Sequence, residues 1–167
     1  AAKKKYNFQI HYPGAGVGGP CLPINSYQLL NTARRAGVKL NIIESSRQIN
    51  ERMPEHVIEL TLDAFKECNK TIQDNDILIL GISYKPDVKD IQLTPAKHII
   101  GKLQKLGANV HIYDPYFSSG QVFDINVEEN LDDIISKVDA SIIVTGHKEF
   151  KKIEPSFFNQ MKGSILI

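Results

Sequence analysis

The sequence has little that would direct it to nucleic acid or to a membrane. Its 167 residues carry a net charge of only +1, so the chain has no overall field that would attract a polyanion. A short basic run at residues 3–5 has no series of aromatic residues beside it. No apolar stretch approaches the roughly 18 residues of a membrane-spanning helix, and the start lacks a signal-peptide core. We therefore expect a cytoplasmic protein that binds neither nucleic acid nor membranes.

Cysteine is also scarce, and histidine is scattered. Cys21 and Cys68 lie far apart and in different settings, which argues against a disulfide framework and against a Cys-x-x-Cys metal or redox site. Cys68 falls in a helical pattern, and we expect it to be half-buried and structural. The histidines are His11, His56, His98, His111 and His147. They have neither metal-ligand spacing nor an obvious acidic partner, so we expect no metal site and no catalytic histidine.

The second part of the chain has the alternating pattern of a parallel sheet. The apolar run "DILILGISY" (76–84) has the length of a strand that is buried on both faces. Thr94 and Pro95 then begin a helix that Gly107 ends. The elements predicted after it are a strand at 108–115, a helix at 131–137, a strand at 140–146, a helix at 155–161 and a strand at 164–167. This order predicts an α/β fold with a Rossmann-like, doubly wound parallel sheet.

The first part predicts helices instead. After Ser26 as the N-cap, the segment 27–37 predicts a short helix that ends at Gly37. Residues 40–68 predict a long helix, with a kink or a new first turn at Pro54. The apolar stripe of this helix comprises Ile42, Ile49, Met53, Val57, Leu60 and Ala64. Because it has no sheet of its own to cover, we expect both another domain and a second copy of the chain to bury this stripe.

A polar segment, "NKTIQDN" (69–75), separates these two patterns. We therefore predict two domains: residues 1–72, which hold a long-helix dimerisation segment, and residues 73–167, the Rossmann-like domain. A glycine loop close to the start and a strand at the last residues lead us to expect that the sequence is part of a longer protein.

The densest candidate site is "HYPGAGVGGPCLPIN" (11–25). Gly14, Gly16 and Gly19 have the spacing of a dinucleotide-binding turn, which needs a preceding strand and a helix that opens on the last glycine. Residues 7–12 supply a strand, but two prolines after Gly19 favour an extended or turned backbone over a helix. The dinucleotide interpretation is therefore weak, and a glycine-rich turn without a ligand is an alternative.

A third interpretation uses the cysteine in the same loop. Glycine amides can approach an anion closely, and Cys21 comes just before a predicted helix start. The amino end of a helix favours a thiolate, so Cys21 is in a position to act as a nucleophile.

The segment "PGAGVGGPCLP" (13–23) resembles the catalytic-cysteine loop of the nucleotide-sugar 6-dehydrogenases, the family of UDP-glucose, UDP-N-acetylmannosamine and GDP-mannose dehydrogenases. Its form is more similar to the bacterial and archaeal N-acetylhexosamine enzymes than to the animal UDP-glucose enzyme. The likeness covers almost the whole chain. It continues through "SRQINERMP" (46–54), "GISYKPDVKDIQLTPA" (81–96), "VHIYDPY" (110–116) and "VTGHKEF" (144–150).

This resemblance implies an NAD-dependent enzyme that oxidises the C6 alcohol of a UDP-sugar, most closely a UDP-N-acetylhexosamine, to the uronic acid. In the family, a cysteine captures the aldehyde as a thiohemiacetal and then carries a thioester. Cys21 matches that nucleophile. The residues that match family substrate contacts are Tyr12, Pro13, Gly14, Ala15, Gly16, Val17, Gly18, Tyr84 and Lys85.

Two positions depart from the family pattern. Asn25 stands where the family has an aspartate credited with assisting water and proton transfer, and an asparagine can orient a water but cannot take its proton. Gln92 stands where the family has an arginine that contacts the cofactor. Asp90 keeps its family position, although an acid there is equally well explained as a loop cap.

The resemblance also implies partners and limits. We expect NAD to be bound mainly by an amino-terminal domain outside this sequence, a homodimer formed through the long helix, and no turnover by residues 1–167 alone. The alternative is a non-catalytic nucleotide-sugar-binding or dimerisation module of the same ancestry.

Overall fold

The computed structural model describes residues 4–6 and 12–167. Two helices come first, and a parallel sheet with helices on both faces follows them. The elements are α1 (Leu22–Arg35), α2 (Asn41–Glu67), β1 (Asp76–Leu80), α3 (Pro95–Lys105), β2 (Asn109–Tyr113), β3 (Gln121–Val122), β4 (Ile125–Asn126), α4 (Leu131–Ile135), β5 (Ala140–Ile143) and β6 (Ile165–Leu166). Short 3₁₀ segments occur at Phe150–Lys152 and Pro155–Gln160. Among the described residues, no helix is both long and apolar enough to cross a membrane.

The main sheet is parallel, with strand order β2-β1-β5-β6. The chain leaves β1 to form β2 on one side and returns to form β5 on the other. Open parallel sheets bind ligands at such a reversal, outside the carboxyl ends of the strands. This topology confirms the predicted α/β fold with a Rossmann-like sheet.

The central strand β1 holds the two halves of the core together. Its side chains alternate between faces, and all of them from Ile77 to Leu80 are buried. Ile77 and Ile79 pack in a cluster with α2 and α3. Leu78 and Leu80 pack on the other face, against α4 and the 3₁₀ segments. Because both faces are covered, the strand is an unbroken apolar run.

Helix α2 is continuous through Pro54, so a new helix start at that residue was wrong. Its buried positions also differ from the predicted stripe, because only the carboxyl-terminal half packs on α3 and the sheet. The buried residues are Pro54, Val57, Ile58, Thr61 and Phe65. In contrast, Ile42 and Ile49 are 83% and 64% exposed. Coverage of these two residues by a second copy stays a prediction, as does the domain division at residue 72.

Two local expectations, the N-cap of α1 and the burial of Cys68, need correction. Helix α1 begins at Leu22, so Ser26 lies inside it and donates its hydroxyl proton to the Leu22 carbonyl at 2.7 Å. Pro23 fits in the first turn because its missing N–H would be unpaired there anyway. Cys68 is exposed, at the carboxyl end of α2. The predicted helix at 155–161 is present as a 3₁₀ helix at Pro155–Gln160, whereas the predicted strand at 7–12 lies almost entirely outside the described residues and stays a prediction.

A buried carboxylate fastens the amino ends of the sheet strands. Asp139, just before β5, accepts hydrogen bonds from the Asp76 N–H at 3.2 Å, Lys70 Nζ at 3.1 Å and Lys162 Nζ at 3.3 Å. Burial by itself raises the pKa of Asp139, but these three bonds outweigh it and the pKa lies below the ordinary value of 3.8. The ionised carboxylate therefore stabilises the fold.

We expect Asp139→Asn to lower the free energy of unfolding at neutral pH by about 1–3 kcal/mol, because it removes hydrogen bonds to a buried charge. Because its pKa is lower in the native state, the Asp139 carboxylate stabilises the fold at pH values above its unfolded-state pKa. This stabilisation is lost as the pH falls through the native pKa. The difference in the free energy of unfolding between Asp139→Asn and the native chain should therefore become smaller below about pH 4. Urea denaturation across pH measures it.

Asp63→Asn is the matched control, since Asp63 is exposed on α2. An Asp139→Asn variant that is as stable as this control at neutral pH would contradict the assignment.

Candidate functional site

The glycine loop, residues 12–20, is seated on the chain's own residues. The Gly19 N–H donates to the Gln92 carbonyl at 2.9 Å. A Cβ on Gly18 would lie 2.3 Å from the Leu93 carbonyl oxygen, and one on Gly19 would lie 2.6 Å from the Tyr84 ring. Real Cβ atoms do not approach so closely, so these two glycines are required by packing.

Asn50, from α2, fixes the middle of the same loop. Its Oδ1 accepts from the Val17 N–H at 2.8 Å, and its Nδ2 donates to the Val17 carbonyl at 3.3 Å. The side-chain amide thus pairs with both polar groups of one backbone residue, as a neighbouring strand would. Asn50 could not be predicted as a site residue, because an asparagine inside a helical pattern carries no signal of a distant loop partner.

This packing argues against the dinucleotide interpretation of the loop. In that spacing the second glycine lets the backbone approach the pyrophosphate. Here a Cβ on the second glycine, Gly16, would lie 3.3 Å from the Asn50 carbonyl oxygen, and the next N–H, that of Val17, already donates to Asn50 Oδ1. The two prolines do not prevent a helix after the loop, since α1 begins at Leu22. Gly14 differs from Gly18 and Gly19, because it is exposed and nothing lies within 4 Å of its Cβ direction.

Cys21 and Asn25 lie together at the start of α1. Cys21 is exposed and is the N-cap residue of this 14-residue helix. The Asn25 N–H donates to the Cys21 carbonyl at 2.9 Å, so the two residues are one helical turn apart on the same face. The thiol is therefore beside the positive end of a helix. Cys68 offers a contrast, because it is exposed at the carboxyl end of α2.

Tyr84 and Lys85 follow β1 at the reversal point of the sheet. The Tyr84 N–H donates to the Asp90 carbonyl at 2.9 Å, and its ring is the surface on which Gly19 rests. Lys85 is exposed, with Nζ 5.8 Å from the centre of the Tyr84 ring. The structure thus brings a candidate residue of the second predicted domain against the loop of the first.

Gln92 and Asp90 complete this junction. Gln92 is exposed, while its backbone N–H donates to Asp90 Oδ1 at 2.9 Å and its carbonyl accepts from Gly19. Asp90 therefore caps the turn, which supports the loop-cap interpretation of this acid.

A cavity of about 320 Å³ adjoins the loop, between α1, α2 and the start of α3. Its walls are mostly apolar, with Val17, Tyr27 and Pro54 among them, and Arg47 supplies a cation. The Arg47 guanidinium lies 5.4 Å from the centre of the Tyr27 ring. Among the residues that the structure describes, Arg47 Nε is buried without a hydrogen-bond partner.

His147 was expected to be incidental, but the structure places it in a buried polar cluster. Its Nε2 lies 3.1 Å from Asp114 Oδ2, and its Nδ1 accepts from the Asp87 N–H at 2.9 Å. Asp87, His147 and Glu149 could be grouped as metal ligands. However, both ring nitrogens of His147 are already engaged, which leaves no lone pair for a cation. This cluster leaves no pattern in the sequence, because Asp87, Asp114 and His147 lie on three separate loops.

At the exposed edge of this cluster, hydrogen bonds keep Asp87 and Lys148 charged. The Lys148 N–H donates to Asp87 Oδ1 at 3.0 Å, and this bond holds the pKa of Asp87 below its ordinary value. Proximity to Tyr116 raises the pKa of the Lys148 ammonium. Both groups therefore stay charged at neutral pH.

A parallel sheet whose strand order reverses beside β1 places the chain in the class of open α/β proteins, which bind their ligands at the carboxyl ends of the strands. Family models narrow the class: the UDP-binding domain of the UDP-glucose/GDP-mannose dehydrogenase family matches residues 78–167, and the central domain of that family matches residues 1–52. The chain belongs to the UDP-glucose/GDP-mannose dehydrogenase family. The resemblance seen in the sequence is confirmed.

Named relatives agree with this assignment. The UDP-N-acetyl-D-mannosamine dehydrogenase of Pyrococcus horikoshii is 32% identical over 160 residues, which cover 95% of this chain and 36% of that protein. The enzyme of the same name from Methanococcus aeolicus is 36% identical over 92% of this chain and 33% of its own length. The UDP-glucose 6-dehydrogenase of Bacillus subtilis is 32% identical over 84% of this chain and 31% of its own length. The chain thus spans about a third of the relatives it matches.

Solved structures show the same fold. The structure of the UDP-D-ManNAc dehydrogenase from Pyrococcus horikoshii has a TM-score of 0.84 at 31% identity, and the match covers 99% of this chain and 37% of that one. The NDP-N-acetyl-D-galactosaminuronic acid dehydrogenase from Methanosarcina mazei has a TM-score of 0.80 at 26% identity, over 90% and 33%.

The seating of the loop can be tested by adding one methyl group. We expect Gly18→Ala to lower the free energy of unfolding by about 1–3 kcal/mol or to detach the loop, because the new Cβ collides with a backbone carbonyl. Gly14→Ala is the matched control and should change stability by no more than about 0.5 kcal/mol, since its Cβ enters open space. Urea denaturation and limited proteolysis of residues 12–20 report the two outcomes. Identical behaviour of the two variants would disprove the seating.

Proposed function

We propose that this chain supplies the thiol and the nucleotide-sugar site of an NAD-dependent UDP-sugar 6-dehydrogenase, with a UDP-N-acetylhexosamine as the preferred substrate. The observation that carries the proposal is the contact of Gly19 with the Tyr84 ring. Through it, the cysteine loop and the carboxyl end of β1 form one continuous surface. The names of the relatives support the substrate class.

The substrate would lie along this surface. Lys85 is an exposed cation at a strand end, where open parallel sheets bind their ligands, and its charge suits a diphosphate. The loop from Tyr12 to Gly18 would wrap the sugar and the diphosphate, with Gly14 as its most open position.

Cys21 would carry the reacting carbon. Its thiolate attacks the C6 aldehyde and forms a thiohemiacetal; after the second oxidation the acid is held as a thioester until water releases it and restores the thiol. NAD, when bound, accepts the hydride of each oxidation. The structure supports the role by exposing Cys21 at the amino end of α1, where helix amides stabilise a thiolate.

Asn25 and Gln92 define the second candidate function, a nucleotide-sugar-binding or dimerisation module without catalysis. Asn25 lies one turn from Cys21, where it can orient a water molecule but cannot accept its proton. Gln92 is exposed beside the loop and offers a neutral amide as its candidate cofactor contact. Both residues are uncharged, which favours weak or absent turnover.

The proposed function also involves a cofactor and a second copy of the chain. At Gly16 and Val17 the loop backbone is packed on and paired with Asn50 rather than open to a pyrophosphate, so we propose that NAD is bound mainly outside this chain. Residues 1–167 alone should therefore not turn over. We also propose a homodimer through α2, which is supported by the exposed Ile42 and Ile49, and a cytoplasmic location.

The thiol claim is tested by comparing the two cysteines. Both are exposed, but Cys21 lies at the amino end of a helix and Cys68 at the carboxyl end of another. We expect iodoacetamide to alkylate Cys21 about 3–30-fold faster than Cys68 at neutral pH, because the dipole of a helix favours an anion at its amino end and disfavours one at its carboxyl end, by about 0.3–1 kcal/mol at each. Peptide mass spectrometry of a time course measures both rates in the same sample. Equal, slow labelling would remove Cys21 as a nucleophile in this chain.

The binding claim is tested with Lys85→Ala. We expect calorimetry to show that this variant binds UDP about 10–100-fold more weakly than the native chain, because a charge-assisted hydrogen bond to the diphosphate is lost. Lys66→Ala is the control, since Lys66 is an exposed lysine in the last turn of α2. Unchanged affinity in Lys85→Ala would remove Lys85 from the site, and no binding by the native chain would reject the proposed function.

A further inference from the structure

A buried carboxylate organises the carboxyl ends of three strands. Asp114 directly follows β2 and its side chain has no exposed surface. Its Oδ2 accepts from the Ile82 N–H at 2.8 Å and faces His147 Nε2 at 3.1 Å, while its Oδ1 accepts from the Tyr116 N–H at 2.9 Å. A buried carboxylate is tolerated only with such donors.

Ser83 connects this carboxylate to the loop after β1. The Ser83 N–H points at Asp114 Oδ2 at 3.3 Å, and its Oγ lies 2.6 Å from the Val88 carbonyl. A hydroxyl has one proton to donate. The short bond to Val88 takes that proton, so Ser83 holds the far end of the Lys85 loop.

His147 holds the same loop at a second point, and its hydrogen bonds fix its protonation. Nδ1 accepts from the Asp87 N–H at 2.9 Å, so Nδ1 carries no proton. The ring proton is therefore on Nε2, and it is donated to Asp114. The ring is buried between Tyr116 and Phe150, whose centroids lie 5.0 and 5.5 Å away. The His147 ring thus links the Asp114 carboxylate to the Asp87 backbone through one hydrogen bond on each ring nitrogen.

These bonds leave Lys85 at the tip of a braced loop. Tyr84 is held by Asp90, Asp87 by His147 and Val88 by Ser83. Asp87 has φ of +63°, a left-handed conformation that costs energy in a residue other than glycine, and the bond to His147 helps to maintain it.

We propose that His147 is a positioning residue for nucleotide-sugar binding: Asp114 sets its tautomer, and His147 holds the Asp87 N–H so that the backbone carrying Lys85 presents its ammonium to the diphosphate. The ligand part of this inference rests on the proposed function. The brace itself is a property of the chain without ligand.

Two amide substitutions separate the two sides of the ring. In His147→Gln, the amide nitrogen can reach the position of Nε2 and donate to Asp114, but the acceptor for Asp87 is lost. In His147→Asn, the amide oxygen takes the place of Nδ1 and accepts from Asp87, but the donor to Asp114 is lost. Both variants are made in the whole 167-residue chain.

We expect His147→Gln to speed hydrogen exchange of the Asp87 amide and to weaken UDP affinity about fivefold, which is the effect of one ordinary hydrogen bond. His147→Asn should keep the slow exchange at Asp87 and near-native UDP affinity, while its thermal unfolding midpoint falls more. NMR exchange, calorimetry with UDP and thermal denaturation are the measurements.

The inference is overturned by unchanged Asp87 exchange in His147→Gln, or by two variants that lose UDP affinity equally and in proportion to their lost stability. A native chain that binds no UDP rejects the proposed function and, with it, the ligand part of the inference. Asp87 exchange still decides the brace in that case. Native binding that Lys85→Ala weakens and His147→Gln leaves unchanged rejects the positioning role alone.

Discussion

The contact between Gly19 and the Tyr84 ring is the constraint on which the site depends. It allows the cysteine loop, which precedes α1, to lie against the end of β1, although the two are separated in sequence by α1 and α2. A single methyl group on Gly18 or Gly19 would prevent this approach. Asn50 contributes from a third direction by pairing with the Val17 backbone. The loop is therefore placed by contacts with the protein before any ligand arrives, which lowers the ordering cost of binding.

Two buried aspartates then fix the sheet at its opposite ends. Asp139 gathers the amino ends of the strands with help from two lysines, and its role is structural. Asp114 gathers the carboxyl ends through backbone amides and His147, next to the candidate ligand residues. A buried carboxylate with satisfied hydrogen bonds thus stabilises the sheet at one end and the loops of the candidate site at the other.

Sequence patterns predicted the elements that depend on local chemistry. The buried strand β1 and the Thr94–Pro95 start of α3 were identified correctly, because burial on both faces and helix capping leave direct traces in the residues. The strand is shorter than the predicted 76–84, because it ends at Leu80, before Gly81 with its φ of +81°. The β3–β4 hairpin was missed, since its turn residues Phe123 and Asp124 both have positive φ without the glycine or asparagine that normally announces it. The buried face of α2 was misplaced, because periodicity does not show how far along a helix its packing partner extends.

The residues of the candidate site also differ in whether the sequence alone could identify them. The glycine loop and Cys21 were found from their residues and Lys85 through a family resemblance, whereas Asn50, Asp114 and His147 became visible only when the fold brought distant segments together. The central claim is that the loop and the β1 end form one nucleotide-sugar site. Its most direct test is ligand protection: the account predicts that saturating UDP-N-acetylhexosamine slows alkylation of Cys21 and leaves Cys68 unchanged. Ligand that binds without changing the rate at Cys21 would contradict the account.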